Sequence, residues 1–159
     1  MKEIHAGDIV KGREWTITVG HASHVQPFLE CLAFRLDCAD GSICYSGDSG
    51  LCDELIELAR GCDVLIHMNH HVSGTEPSAS FRAACGNPRD NAVVAARAGV
   101  KTLVLTHLLG VFDDPIVRDH AEREIAGEFG GRVIWGKDLQ EITVEGGNVV
   151  IRASSRTRA

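Results

Sequence analysis

The sequence predicts an α/β fold in which a mixed β-sheet is covered by helices. Short apolar or alternating runs separated by Gly, Asp and Pro fill the first third of the chain and are typical of strands. Beyond residue 50, stretches with helical spacing alternate with short apolar runs, as in βα units. At 159 residues, 44% hydrophobic and 24% charged, the chain is long enough for one domain with its own core. We expect that domain to span residues 1–153, with a disordered basic tail at 154–159.

The amino-terminal third supplies the antiparallel part of the predicted sheet. Residues 3–10 read as extended chain, and residues 15–22 alternate threonine with apolar side chains. Residues 32–37 and 42–45 are two further strands. The Asp40-Gly41 dipeptide between them is a strong hairpin signal, because these residues tolerate the positive φ of a tight turn.

The rest of the chain predicts alternating helices and strands. Helical spacing starts at Leu51 and is stopped by Gly61, whereas the mixed composition of residues 70–87 predicts a long loop. The remaining predicted elements are a strand at 63–67, a helix at 88–98 opened by Pro88, a strand at 102–105, a helix at 115–129, a strand at 132–135 and a hairpin of 139–144 with 149–151.

Composition argues against several classes of protein. The net charge of −6 gives no electrostatic reason to expect a nucleic-acid partner. No run of eighteen apolar residues and no amino-terminal signal segment is found, so we expect a cytoplasmic protein without a membrane partner. The six cysteines form no Cys-x-x-Cys pair, and we interpret them as reduced core residues.

Several apolar runs end on residues that can bind a metal ion. These residues are His24, Asp48, His67 and His107, each placed at the end of a predicted strand or just after it. Because open α/β sheets gather their sites at the carboxyl ends of strands, we expect the four side chains to converge. Imidazole and carboxylate groups together suit zinc, iron or manganese. The pattern therefore predicts a metal-dependent enzyme.

Each of these residues also has a simpler interpretation. Asp48 lies in a glycine-flanked turn between a strand and a helix, where an aspartate often caps the helix instead of binding a metal. A single histidine after a strand, such as His24 or His107, is commonly packed or hydrogen-bonded at the surface. The cluster His67, His70 and His71 could supply ligands, shuttle protons or hydrogen-bond to ligands, or it could be an incidental polar loop.

Five segments together resemble the metallo-β-lactamase-fold hydrolases, in the branch that contains ribonuclease Z and the arylsulfatase-like enzymes. The resemblance covers roughly residues 3–145 and implies an αββα-type fold. The matching segments are Ser23-His24-Val25-Gln26-Pro27, Leu32-Ala33-Phe34-Arg35, Tyr45-Ser46-Gly47-Asp48-Ser49, Asp63-Val64-Leu65-Ile66-His67 and Leu103-Val104-Leu105-Thr106-His107-Leu108.

The resemblance implies a hydrolase with two metal ions, usually zinc, although iron or manganese is also compatible. In such a site a metal-bound hydroxide attacks an ester-type bond. His24 would bind one metal, Asp48 would bridge the two, and His107 would bind the other. His67 would be a neighbour behind these ligands.

The sequence departs from the family pattern in three places. The family's His-x-His-x-Asp-His motif is absent, so we expect only the carboxy-terminal half of the fold and a site that needs an amino-terminal half. His24 and Asp48 are 24 residues apart, which leaves no room for the long tRNA-binding arm of ribonuclease Z. A family histidine is also replaced around residues 85–87. Together with the acidic charge, this predicts a small-molecule ester, sulfate, phosphodiester or lactone as substrate and no nucleic-acid partner.

Three alternatives remain open at this stage. The chain could be a non-catalytic fragment or assembly protein that uses an exposed sheet edge to bind a second copy or a complementing amino-terminal half. His24, Asp48 and His107 could instead form a mononuclear site, since two histidines and one carboxylate also suit non-haem iron. Finally, the chain could be a relative of the tRNA 3′-processing endonucleases.

Overall fold

The computed structural model describes residues 3–152, which form a seven-stranded sheet, a two-stranded hairpin and four α-helices. The expected tail at 154–159 lies outside the described residues. The strands are β1 (Ile9–Lys11), β2 (Trp15–His21), β3 (Leu32–Cys38), β4 (Gly41–Tyr45), β5 (Val64–Met68), β6 (Thr102–Thr106), β7 (Arg132–Trp135), β8 (Glu141–Glu145) and β9 (Asn148–Arg152). The helices are α1 (Asp53–Ala59), α2 (Ala79–Ala84), α3 (Pro88–Ala98) and α4 (Pro115–Glu128), with a 3₁₀ helix at Gly110–Asp113.

The large sheet is mixed, as the sequence predicts. Its strands lie in chain order from β1 to β7; neighbours from β1 to β4 are antiparallel, and those from β4 to β7 are parallel. In the parallel part, Tyr45, Ile66 and Val104 lie side by side on β4, β5 and β6. This pairing brings the carboxyl ends of the three strands to one edge of the sheet.

Each face of the sheet has its own apolar layer. On one face the helices pack against the strands around fully buried residues such as Leu55, Leu65 and Leu103. On the other face the β8–β9 hairpin covers Val64 and Val104. The sequence therefore buries both sides of the parallel strands, which explains their nearly continuous apolar runs.

The hairpin does not reach the antiparallel end of its face. Trp15 and Val10 stand on that face and remain 42% and 40% exposed, and Tyr45 on β4 is 46% exposed. Apolar side chains on the outer strands are therefore open in the described residues, where an αββα arrangement would place further chain.

Two sequence predictions about local structure are wrong. Residues 3–10 are not one extended element, because the His5 N–H donates to the Asp8 carboxylate and closes a turn before β1. The expected long loop at 70–87 contains helix α2, which begins where the Ser78 hydroxyl accepts the Phe81 N–H. A helix of six residues is too short to show a clear period in the sequence.

Among the described residues, no helix is long and apolar enough to cross a lipid bilayer.

Two glycine positions offer a matched test of the packing beside the carboxyl edge. A Cβ at Gly86 would lie 2.2 Å from the Met68 carbonyl oxygen, whereas a Cβ at Gly127 on α4 meets no atom within 4 Å. We expect Gly86→Ala to lower the free energy of unfolding by about 2 kcal/mol or more, because backbone must shift. Gly127→Ala should raise it by about 0.5–1 kcal/mol, because alanine favours helix. Urea denaturation measures both, and equal effects would contradict this packing.

Candidate metal centre

Four polar side chains come together at the carboxyl edge of the sheet. Asp48 follows β4, His70 follows β5, and His107 follows β6 directly. His24 follows β2, which runs in the same direction as β4 because each is antiparallel to β3. The parallel strand ends therefore deliver these residues to one place, as the sequence predicts for His24, Asp48 and His107.

Asp48 and His107 face each other at the centre of this group. The His107 Nε2 atom lies 3.9 Å from the Asp48 Oδ2 atom, and both side chains are 45% exposed. A metal ion that binds two donors at about 2.0–2.2 Å from each spans a gap of up to about 4 Å. The pair is therefore close enough to share a metal ion and open enough to admit a substrate.

His24 is oriented by the main chain. Its Nδ1–H donates to the Ala84 carbonyl oxygen over 2.7 Å, so the proton is on Nδ1 and the Nε2 lone pair is free. Metal-binding histidines usually have this arrangement, in which the other ring nitrogen donates to a carbonyl or carboxylate.

The loop of His24 is tied to the Asp48 loop and to helix α2 by further hydrogen bonds. The Gly50 N–H donates to the Ser23 carbonyl oxygen, the Ser23 N–H donates to the Ser49 hydroxyl, and the Ser23 hydroxyl donates to the Ala83 carbonyl oxygen. A Cβ at Gly50 would lie only 2.3 Å from that same Ala83 oxygen. Glycine is therefore required where these backbones meet.

His107 has an unusual backbone conformation. Its φ is +56°, in the left-handed region that residues other than glycine seldom adopt. The chain turns sharply here at the end of β6, which leaves the imidazole at the edge of the sheet. Strain of this kind persists where the surrounding structure enforces it and is concentrated at functional sites.

His70 lies against His107 and contacts the ring nitrogen of His107 that does not face Asp48. The two Nδ1 atoms are 3.3 Å apart, and the ring centroids are 5.0 Å apart with the planes at 68°. Burial, together with the neighbouring His107, lowers the pKa of His70 below its ordinary value. The charges of Asp48 and His24 also affect this pKa, which places all four residues in one electrostatic group.

His67 is buried beneath the edge and does not reach its surface. The side chain is fully enclosed, and its Nδ1 atom lies 3.0 Å from the Ser46 hydroxyl, two residues before Asp48. The Nε2 atom has no hydrogen-bond partner among the described residues. Burial lowers the pKa of His67 to about 4, so the ring is neutral at pH 7.

The segment after β5 is held by a buried polar network. Arg82 donates two hydrogen bonds to the Asp90 carboxylate, and the Asn87 amide donates to both Asp90 and Glu76. Burial alone would raise the pKa of Asp90, but Arg82 and Asn87 outweigh it and hold that pKa below its ordinary value. His71 Nε2 lies 3.2 Å from Glu76. Asn87 caps α3, and residues 85–87 include no histidine.

The donor set suits a metal ion in chemistry and orientation. Two imidazoles and a carboxylate are ligands for zinc, iron or manganese. In the part of the chain that the structure describes, neither His24 nor His107 uses its Nε2 atom in a hydrogen bond. Within residues 3–152, no three His, Cys, Asp or Glu side chains are close enough to form a complete metal site. The residues therefore fit a metal in kind, with the donors still too widely spaced to enclose one.

The predicted residues differ in how the structure places them. His24, Asp48 and His107 reach the same edge, and their roles as ligands stay predictions. His67 hydrogen-bonds to Ser46 beside the Asp48 loop, and its role behind the ligands also stays a prediction. From the sequence alone, His70 is considered only as part of the cluster His67, His70 and His71 and has no assigned role. The signal for it was its position just beyond Met68, the end of β5.

The chain resembles curated ribonucleases in sequence, although no protein-family model matches it. It is 31% identical over 152 residues to "Ribonuclease Z" of Mycobacterium bovis (strain BCG / Pasteur 1173P2), which covers 89% of this chain and 53% of the relative. It is 44% identical over 66 residues to "Ribonuclease Z" of Methanothermobacter thermautotrophicus, covering 42% and 21% of the two chains. The chain spans about half the length of the curated relatives it matches.

Solved structures share the fold. The metallo-β-lactamase fold protein YhfI from Bacillus subtilis superimposes with a TM-score of 0.68 and 23% identity, over 94% of this chain and 54% of YhfI. The chain has a metallo-β-lactamase fold and is related in sequence to ribonuclease Z. The short form of human tRNase Z superimposes with a TM-score of 0.57 and 18% identity, over 89% and 43% of the two chains. These likenesses confirm the fold and the ribonuclease Z relationship expected from the sequence.

The expectation of a small-molecule substrate and no nucleic-acid partner is contradicted by these relatives. The relatives that match this chain in sequence are named ribonucleases. The missing arm was a poor argument, because the alignment to the Mycobacterium bovis protein spans 152 positions and 89% of this chain. The relative therefore has little room for a long insertion between the positions that match His24 and Asp48. The net charge was also a weak guide to the substrate, because it does not describe the electrostatic potential at the candidate site.

The buried His67 predicts a pH-dependent stability. The unfolded chain binds a proton on this ring near its ordinary pKa of 6.5, whereas the folded chain does so only near pH 4. Protons therefore favour the unfolded state as the pH falls from 6.5 to 4, and this residue alone should lower the free energy of unfolding by about 3 kcal/mol. Urea denaturation of wild type and His67→Asn across this range measures it. Parallel pH profiles for the two proteins would contradict the assignment.

The left-handed backbone at His107 predicts an inverted preference between glycine and alanine. His107→Gly should unfold with a free energy about 1 kcal/mol higher than His107→Ala, because glycine adopts positive φ without strain. At the exposed His120, inside α4, His120→Ala should have a free energy of unfolding about 1 kcal/mol higher than His120→Gly. Urea denaturation of the four variants measures both differences. The same sign at both positions would rule out strain at His107.

Proposed function

We propose that this chain carries part of a metal-dependent ribonuclease site that hydrolyses phosphodiester bonds in RNA, with precursor tRNA as the substrate class. The observation that carries the proposal is the meeting of His24, Asp48 and His107 at one edge of a metallo-β-lactamase fold. The sequence relatives named ribonuclease Z support RNA as the substrate.

The proposed ligands are His24, Asp48 and His107, with zinc as the metal and iron or manganese as compatible alternatives. Three protein donors leave coordination positions open, which a catalytic metal site requires. When bound, the metal would activate water and stabilise the charge that develops on the phosphate. Asp48 would supply the carboxylate ligand of this set.

The chain's own residues would prepare this site. The Ala84 carbonyl holds the His24 ring with Nε2 free, and the backbone turn at His107 directs its ring toward Asp48. Asp48 and His107 are each 45% exposed, so a phosphodiester could approach both groups from solvent. Asn87 is not proposed as a general acid, because a side-chain amide does not gain or lose a proton near neutral pH.

A cleavage assay tests this proposal. Because the chain spans about half of its relatives, the purified chain is assayed alone and with the separately purified amino-terminal half of the Mycobacterium bovis relative. Labelled precursor tRNA is incubated with each preparation and with Zn²⁺ or Mn²⁺. We expect metal-dependent cleavage in at least one preparation, and Asp48→Asn should reduce it by at least about 100-fold, because the carboxylate holds the metal.

Asp40→Asn is the matched control. Asp40 is an exposed residue of the β3–β4 turn, so its substitution removes the same charge far from the carboxyl edge of the sheet. The control should retain wild-type cleavage. If neither preparation shows cleavage that depends on Asp48, the proposed function is wrong and a non-catalytic role replaces it.

A further inference from the structure

We propose that His70 is a positioning residue for His107: its Nδ1 atom accepts the His107 Nδ1 proton and so keeps His107 Nε2 directed at Asp48 as a metal donor. This inference rests on the metal site of the proposed function and adds a residue to it that the family resemblance did not supply.

The direction of the hydrogen bond follows from the two nitrogens of His107. Its Nε2 atom faces Asp48 at 3.9 Å, and its Nδ1 atom faces His70 Nδ1 at 3.3 Å. A metal ion at Nε2 takes the lone pair of that nitrogen, so the proton of a neutral ring must lie on Nδ1. His107 is then the donor, and His70 must accept with an unprotonated Nδ1.

His24 and His107 are therefore oriented by different groups. The Nδ1–H of His24 donates to a main-chain carbonyl, which can only accept and which moves with the backbone. The Nδ1 of His107 meets a side chain instead. The tautomer of His107 thus depends on a residue that substitution can remove without changing the backbone, which makes the role of His70 testable.

His70 is itself held in place from two sides. The backbone N–H of His70 donates to the Gly86 carbonyl oxygen over 2.9 Å. The centroid of its ring lies 5.9 Å from that of the Phe81 ring of α2. The α2 segment is fixed in turn by the pairing of Arg82 with Asp90. A ring anchored in this way can hold a neighbouring ring in one orientation.

A role as a direct ligand through the same atom is excluded by this geometry. The Nδ1 lone pair of His70 that accepts from His107 cannot also bind a metal ion. The contact is, moreover, made by Nδ1 of His107, whereas Nε2 is the atom of His107 that would bind the proposed metal.

Zinc affinity of the full chain tests the inference without an activity assay. Isothermal titration of metal-free protein with Zn²⁺ at pH 8 is compared for wild type, His70→Ala and His70→Asn. His70→Ala should weaken the affinity for Zn²⁺ by about 10–100-fold, because His107 loses its hydrogen-bond acceptor. His70→Asn should stay within about threefold of wild type, because the amide oxygen of asparagine replaces Nδ1 as an acceptor.

His120→Ala controls for loss of an exposed imidazole and should bind Zn²⁺ like wild type. The urea midpoint of the metal-free proteins should be unchanged by both His70 variants, which separates positioning from a structural role. The inference is overturned if the wild-type chain binds no Zn²⁺, if His70→Asn binds as weakly as His70→Ala, or if His70→Ala binds like wild type. Loss of Asp48-dependent RNA cleavage alone would end the proposed function and leave this affinity pattern intact.

Discussion

The parallel register of β4, β5 and β6 is the constraint on which the candidate site depends. Tyr45, Ile66 and Val104 lie level across these strands, so the residues that follow each strand emerge at the same height. A shift of one residue in any strand would turn its apolar side chains to the opposite face and move the edge residues apart. The buried layers on both faces oppose such a shift, so the packing of the core and the geometry of the site have the same physical cause.

Much of this arrangement could be predicted from the sequence because its signals are local. Asp48 and His107 each follow an apolar run whose length and composition mark a buried strand, and the order of strands and helices predicts the mixed sheet. What could not be predicted depends on contacts between distant residues. The orientation of His107 depends on His70, 37 residues away, and helix α2 depends on the pairing of Arg82 with Asp90 outside it.

The error about the substrate has a physical lesson of a different kind. Net charge is a sum over the whole surface, whereas a phosphodiester responds to the potential within about a Debye length of the site. Asp48 is one of 22 acidic residues, and as a metal ligand it would attract a cation to the place where a phosphate must approach. An acidic protein can therefore use a bound metal as its local positive charge, and its overall charge of −6 does not exclude RNA.

The close contacts of Gly50 and Gly86 have a consequence for the thermodynamics of metal binding. Each glycine lets an edge loop touch the main chain of a neighbouring element: Gly50 meets Ala83 of α2, and Gly86 meets Met68 of β5. The loops therefore lose their conformational entropy when the chain folds, before any ligand arrives. A metal ion that binds here would need to order side chains only, because the backbone is already fixed. Most of its binding free energy would therefore be added directly to the stability of the fold.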